Sequence, residues 1–213
     1  SQILLWEYKN DPDYYRDLML KAVNSDNSDS QELGAELLCA VSILYEDELA
    51  FHTVLSRQFS KEQENKICHQ AIKLITEPRC NAKSSAIIRH FIETSENDIT
   101  AFHLLFHDER IDIRKDKQLL MALIKSKHFS GLAYEFMDFL DSIREEDICE
   151  YAEAIEAMSV SPSLYADNYM TDTEITKLAH CVLRIYDKAA GDSHLTEICL
   201  NVWDNLFMHN ENC

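Results

Sequence analysis

Glycine and proline are nearly missing, with three of each in 213 residues. So few turn formers cannot serve the many tight connections of an all-β fold, and the composition argues for long helices. The three glycines, Gly34, Gly131 and Gly191, stand too far apart to form GxxxxGK[ST] or GxGxxG, which excludes a nucleotide phosphate loop within this segment. Basic residues are also scarce: 20 Lys and Arg face 38 Asp and Glu, a formal charge of -18. That balance tells against nucleic acid, whose binders neutralise phosphates with Lys and Arg, and against an anionic membrane surface. No apolar run approaches the roughly 18 residues of a membrane span, and the N-terminus lacks the basic and apolar regions of a signal peptide. There is no CxxC pair. The seven cysteines, at 39, 68, 80, 149, 181, 199 and 213, sit mostly on or beside apolar helix faces, as reduced thiols do in a cytoplasmic protein. The chain starts Ser-Gln without Met and runs at once into ILLW, which reads as a fragment of a longer protein.

What is present is amphipathic helix. Residues 171–207 read as a helical hairpin: Thr171 and Glu174 form a capping box, and Ile175, Leu178, Ala179, Val182, Ile185 and Tyr186 make one apolar face. Gly191 stops the first helix, Asp192 or Ser193 caps the second, and Leu195, Ile198, Cys199, Val202, Trp203, Leu206 and Phe207 form its inner face. Upstream, Asp11-Pro12 starts a helix to about Asn24 with Tyr15, Leu18, Met19 and Ala22 inward. Ser28 with Gln31 and Ser60 with Gln63 are two more capping boxes. Their helices carry Leu33, Leu37, Ala40, Val41 and Leu44, then Ile67, Ala71, Leu74 and Ile75. Further helices are expected over residues 47–58, 82–93, 98–106, 118–125, 130–140 and 145–158, with ERIDIRKDK as a loop or irregular lead-in and a short helical turn at LYADNYM.

Helix pairs recurring at about 35 to 45 residues match the spacing of HEAT and armadillo units. The expected fold is therefore all-α, a HEAT/armadillo-like α-solenoid of antiparallel helix pairs forming a single helical-repeat domain over 1–213. An irregular helical bundle is the alternative.

Chemistry is thinly represented. His103 and His107 lie four apart on one helical face, but Leu104 stands where the zinc-protease pattern needs Glu, and a third ligand is required. Cys68 and His69 are adjacent and point about 100° apart, so they do not make a thiol and base pair. Residues 26–30 lack the Gly and Glu of a calcium loop. No cofactor is expected. Charge is more informative: Arg110, Arg114, Lys115, Lys117, Lys125 and Lys127 form a basic region, followed by an acidic stretch from Glu135 to Glu156 interrupted only by Arg144. These blocks either pair across neighbouring helices or offer docking surfaces, the basic one for an acidic partner or a phosphate.

Val182, Leu183, Arg184, Tyr186 and Ala189, followed by Cys199, Leu200, Asp204, Leu206 and Phe207, resemble the LxLRxYxxA and CLDxxDxLF helices that end large bacterial P-loop ATPases, including antiviral defence proteins. Asn201 departs from that pattern. The resemblance covers about the last fifth of the chain and implies a sensor or scaffold region, with ATPase and effector parts N-terminal to Ser1. The expected function is thus a non-catalytic module for binding a protein partner or other domains of the same chain. A small helical metal-dependent enzyme using His103 and His107, and a dimerisation or spacer region, are the alternatives.

Overall fold

Twelve α-helices, and no strand, occur among the described residues of the computed structural model, which are 2–108, 110, 111, 113, 116–161 and 172–210, without the side chains of 172–174, 209 and 210. The fold is all-α. The chain divides into two compact units, Ser1–Ile113 and Arg114–Cys213.

In the first unit the helices are α1 (Gln2–Glu7), α2 (Pro12–Val23), α3 (Ser28–Leu44), α4 (Glu48–Ser56), α5 (Lys61–Leu74) and α6 (Asn81–Thr94). A 3₁₀ turn, Thr100–His103, then leads into α7 (Leu104–His107). Their starts follow local side-chain chemistry. Asp11 accepts from the Tyr14 N–H at 3.1 Å with Pro12 at the first helical position. Ser60 and Gln63 form the expected reciprocal box, accepting from each other's backbone N–H at 3.3 and 2.9 Å. The expected Ser28 and Gln31 box is not formed. Asn27 is the cap instead, accepting from Ser30 N–H at 2.8 Å, and Gln31 donates its side-chain amide to the Ser25 carbonyl. Asn27 holds an extended backbone, which places its short side chain over the open N–H groups one residue earlier than the sequence pattern implies.

At the centre of this unit α3 packs against α2, α4 and α5, while α5 also packs against α6 and α4 touches α6. Surrounded in this way, α3 buries every residue from Leu37 to Ile43. Its seam with α2 is set by Gly34, where a Cβ would lie 2.8 Å from both the Met19 carbonyl oxygen and the Val23 nitrogen. The close backbone approach turns Met19 and Val23 inward and leaves Leu18 exposed, contrary to the expected inner face. Leu33 and Leu44 are exposed as well.

In the second unit α8 (Lys117–Lys125) is followed by a 3₁₀ turn, Lys127–Leu132, running into α9 (Ala133–Ser142), and a second, Glu145–Tyr151, running into α10 (Ala152–Ser159). Then come α11 (Asp172–Lys188) and α12 (Ser193–Asn210). Ser126 caps the first of these turns, accepting from His128 N–H at 3.2 Å, while Ser130, where the sequence places the helix start, donates to the Lys127 carbonyl. Helix α10 packs on α8, α11 and α12, and α9 on α11.

Gly191 sits at φ +87°, the left-handed conformation that ends α11, and Asp192 caps α12 by accepting from the N–H groups of His194 and Leu195 at 3.0 and 3.1 Å. Leu178, Val182, Ile185, Ile198, Cys199, Val202 and Leu206 form the buried seam of this hairpin. Tyr186 and Phe207, expected inside, are exposed. Each lies at the margin of a face whose centre already fills the seam. The Thr171 and Glu174 capping box and the turn at LYADNYM fall outside the described side chains. No helix among the described residues is long and apolar enough to cross a membrane.

Candidate interaction surfaces

The cysteines contribute packing. Cys39, Cys68, Cys80, Cys181 and Cys199 are buried free thiols, and Cys149 is half-buried. Burial pushes the thiols of all five buried residues up, most strongly at Cys39 and Cys68, so they stay protonated and are poor nucleophiles. Burial, then the nearby Lys73, holds His69 below the usual imidazole range, and it is only half-buried beside the enclosed Cys68.

His103 ends the 3₁₀ turn and His107 is the last residue of α7. Both belong to the first unit. Among the described residues of that unit no third His, Cys, Asp or Glu joins them, so it does not by itself complete a three-ligand set.

The basic region is divided by its surroundings. Arg110 grips Asp108 through two side-chain hydrogen bonds of 2.9 and 2.5 Å. Those bonds, with one from the Arg110 backbone, hold the Asp108 carboxyl at about 2. Lys117 donates to Glu150 at 3.2 Å and lies 5.9 Å from the Tyr151 ring. Lys127 opens the 3₁₀ turn Lys127–Leu132, and Lys125 ends α8. Arg114 and Lys115 lie outside the described residues.

The acidic stretch finds its cations chiefly on α11. Lys177 lies 2.5 Å from Asp141, and Arg184 donates to Glu145 at 2.7 Å and to the Ile143 carbonyl at 2.8 Å. Lys188 donates to the Glu145 carbonyl. Arg184 and Lys188 hold the Glu145 carboxyl below its usual range, and hydrogen bonding to Asp141 raises the Lys177 ammonium. Pairing across neighbouring helices therefore accounts for Asp141, Glu145 and Glu150.

What remains is a groove. Alternate helices α8, α10 and α12 of the second unit line an open depression of about 680 Å³. Met121 and Lys125 come from α8, Glu153, Glu156 and Ala157 from α10, Val160 from just beyond it, and Asn201, Asp204 and Asn205 from α12. Asn201 donates to Glu156 at 2.7 Å and Asn205 to Ser159 at 3.1 Å, tying α12 to α10 along one wall. His194 stands 3.8 Å from Glu153. Of the residues singled out from the sequence, Lys125 of the basic region, Glu153 and Glu156 of the acidic stretch, and Asn201 and Asp204 of the closing pattern line this groove. That they share one surface was missed, because attention to the inner face of α12 hides its outer one, where Leu200 and Asp204 share a side. No protein-family model matches this chain, and no curated protein or solved structure matches it either.

Proposed function

We propose that this chain is a non-catalytic protein-interaction module, built as a HEAT/armadillo-like α-solenoid of antiparallel helix pairs. The observation that supports this reading is the packing rule within each unit. In the first, α3 packs on α4 and α5, and α4 on α6; in the second, α10 packs on α11 and α12, α8 on α10 and α9 on α11. Contacts to the next helix and the next but one are what stacked helix pairs make, each pair burying the face its neighbour cannot cover alone. Such stacking places alternate helices side by side in a layer, and a layer of helices presents a long surface suited to another protein. The resemblance of residues 171–207 to the closing repeats of bacterial defence ATPases points the same way, to a cytoplasmic sensor or scaffold region that recognises a partner or joins other domains.

Affinity capture with the full chain from source-organism lysate, followed by quantitative mass spectrometry, tests this reading. A stoichiometric protein partner is the expected result. Stoichiometric zinc, manganese or iron in the purified protein, lost on His103→Ala with His107→Ala, would overturn it in favour of a metal-dependent enzyme.

A further inference from the structure

We propose that the groove between α8, α10 and α12 is the docking site for an amphipathic segment of a protein partner, one that carries Lys or Arg among apolar side chains. This assignment rests on the interaction-module reading above and names the surface and the chemistry it recognises.

Three observations converge. The first is shape: the depression of about 680 Å³ is open to solvent and is lined by three helices, so it accommodates side chains from a docking segment. The second is exposed apolar surface in and beside it. Val160, which lines it, is 55% exposed, and on the surface of α12 next to Asp204 Leu200 is 57%, Phe207 64% and Met208 64% exposed. Leu200, Phe207 and Met208 lie four before, three after and four after Asp204, so they surround that carboxylate on the helix surface. Large apolar side chains grouped beside a concavity mark a contact surface, whereas the same residues scattered singly would not.

The third observation is charge. Glu153, Glu156 and Asp204 line the groove against the single ammonium of Lys125. Glu156 has one hydrogen bond from a neutral amide, Glu153 has an imidazole at 3.8 Å, and Asp204 has no side-chain partner among the described residues. By contrast, Asp141, Glu145 and Glu150 have Lys or Arg partners within the unit. The groove carboxylates thus retain capacity for a cation from outside. The chain's charge of -18 raises the local concentration of any basic segment. Apolar surface beside uncompensated carboxylates selects a segment that alternates the two complementary characters, and disfavours an acidic peptide.

A fluorescein-labelled peptide alternating Arg and Leu, titrated with the full chain and followed by anisotropy, tests the assignment; an equally long peptide alternating Glu and Leu is the control. The Arg/Leu peptide is expected to bind and to weaken as salt rises, with the Glu/Leu peptide not binding. Asp204→Lys and Leu200→Ser should each weaken the Arg/Leu peptide about tenfold, while Asp17→Lys, an equal change of charge on α2, should not. Melting by circular dichroism verifies that each variant is folded, and Asp204→Asn gives a milder second test at the same position. Equal weakening by Asp17→Lys, equal binding by all variants, or no binding would each overturn the groove assignment. Those results leave the broader reading intact, since partner capture by the full chain decides that separately.

Discussion

Tyr8 donates its hydroxyl to the Asp47 carboxylate, and the same carboxylate caps α4 by accepting from Ala50 N–H at 2.8 Å. Arg16 of α2 donates to it as well, so one aspartate joins the segment after α1, helix α2 and the start of α4. Tyr8 is almost fully buried and stacks on Tyr45 with ring centroids 5.3 Å apart. Tyr8→Phe keeps the stacking and removes the hydrogen bond to a charged acceptor. It should destabilise the chain by about 2 kcal/mol, read as a lower urea midpoint at unchanged slope.

The same cluster gives stability two pH limits. Burial alone would raise the Asp47 carboxyl, but hydrogen bonds from Arg16 and Tyr8 hold it below its ordinary 3.8. Its contribution is therefore complete above 3.8 and lost as pH falls through the folded-state value. Burial, then the Asp47 carboxylate, pushes the Tyr8 hydroxyl above its ordinary 10.0, so its contribution is complete below pH 10 and lost on further rise. Melting temperatures across pH should show both falls in the wild type. The gap between wild type and Tyr8→Phe should close on the alkaline side, and a constant gap would refute the assignment.

Gly34 opposes two effects of known size. Gly to Ala inside a helix stabilises by roughly 0.5–1 kcal/mol when there is space. Here the new methyl would stand 2.8 Å from the Met19 carbonyl oxygen and the Val23 nitrogen, backbone atoms that move only if α2 moves. Overpacking of this kind costs about 1–3 kcal/mol, so Gly34→Ala should lower stability on balance. A raised midpoint in urea would show that α2 shifts freely.

These two sites mark how far the sequence carries. Helix positions follow from capping residues and a 3.6-residue period, because both are local; Ser60 with Gln63 and Gly191 with Asp192 are readable on that basis. Which side of a helix is buried depends on its neighbours. Leu18 and Met19 are equally apolar, and only the glycine opposite decides between them. Phe207 continues the apolar face of α12 in sequence yet lies outside the seam, since that seam is already filled by Ile198, Val202 and Leu206. The groove needs α8, α10 and α12 together, residues more than 70 apart in the chain, and no local pattern joins Met121 to Asn205.

The cap of α3 offers a contrast between neighbouring residues. Asn27 satisfies Ser30 N–H, whereas Ser28, already inside the helix, makes a 3.3 Å contact with the half-buried Glu32. Asn27→Ala should cost about 1 kcal/mol and Ser28→Ala a few tenths at most. Paired urea titrations decide between them, and the reverse order would move the cap to Ser28.

Arg184 distinguishes a backbone anchor from a surface ion pair. Its guanidinium donates to the exposed Glu145 carboxylate and to the Ile143 carbonyl, which fixes the bend between α9 and the 3₁₀ turn Glu145–Tyr151 against α11. An exposed carboxylate pair adds little in water, but a charge-assisted bond to a backbone carbonyl at a part-buried position is worth more. Arg184→Ala should therefore destabilise by about 1–2 kcal/mol, while Glu145→Gln, which leaves the carbonyl bond in place, should be nearly silent. Added salt should leave the Arg184→Ala deficit largely unchanged if the carbonyl dominates, and shrink it if the ion pair does. Urea titrations of both variants at low and high salt separate the two sources, with equal losses from Arg184→Ala and Glu145→Gln assigning the anchor to the carboxylate instead.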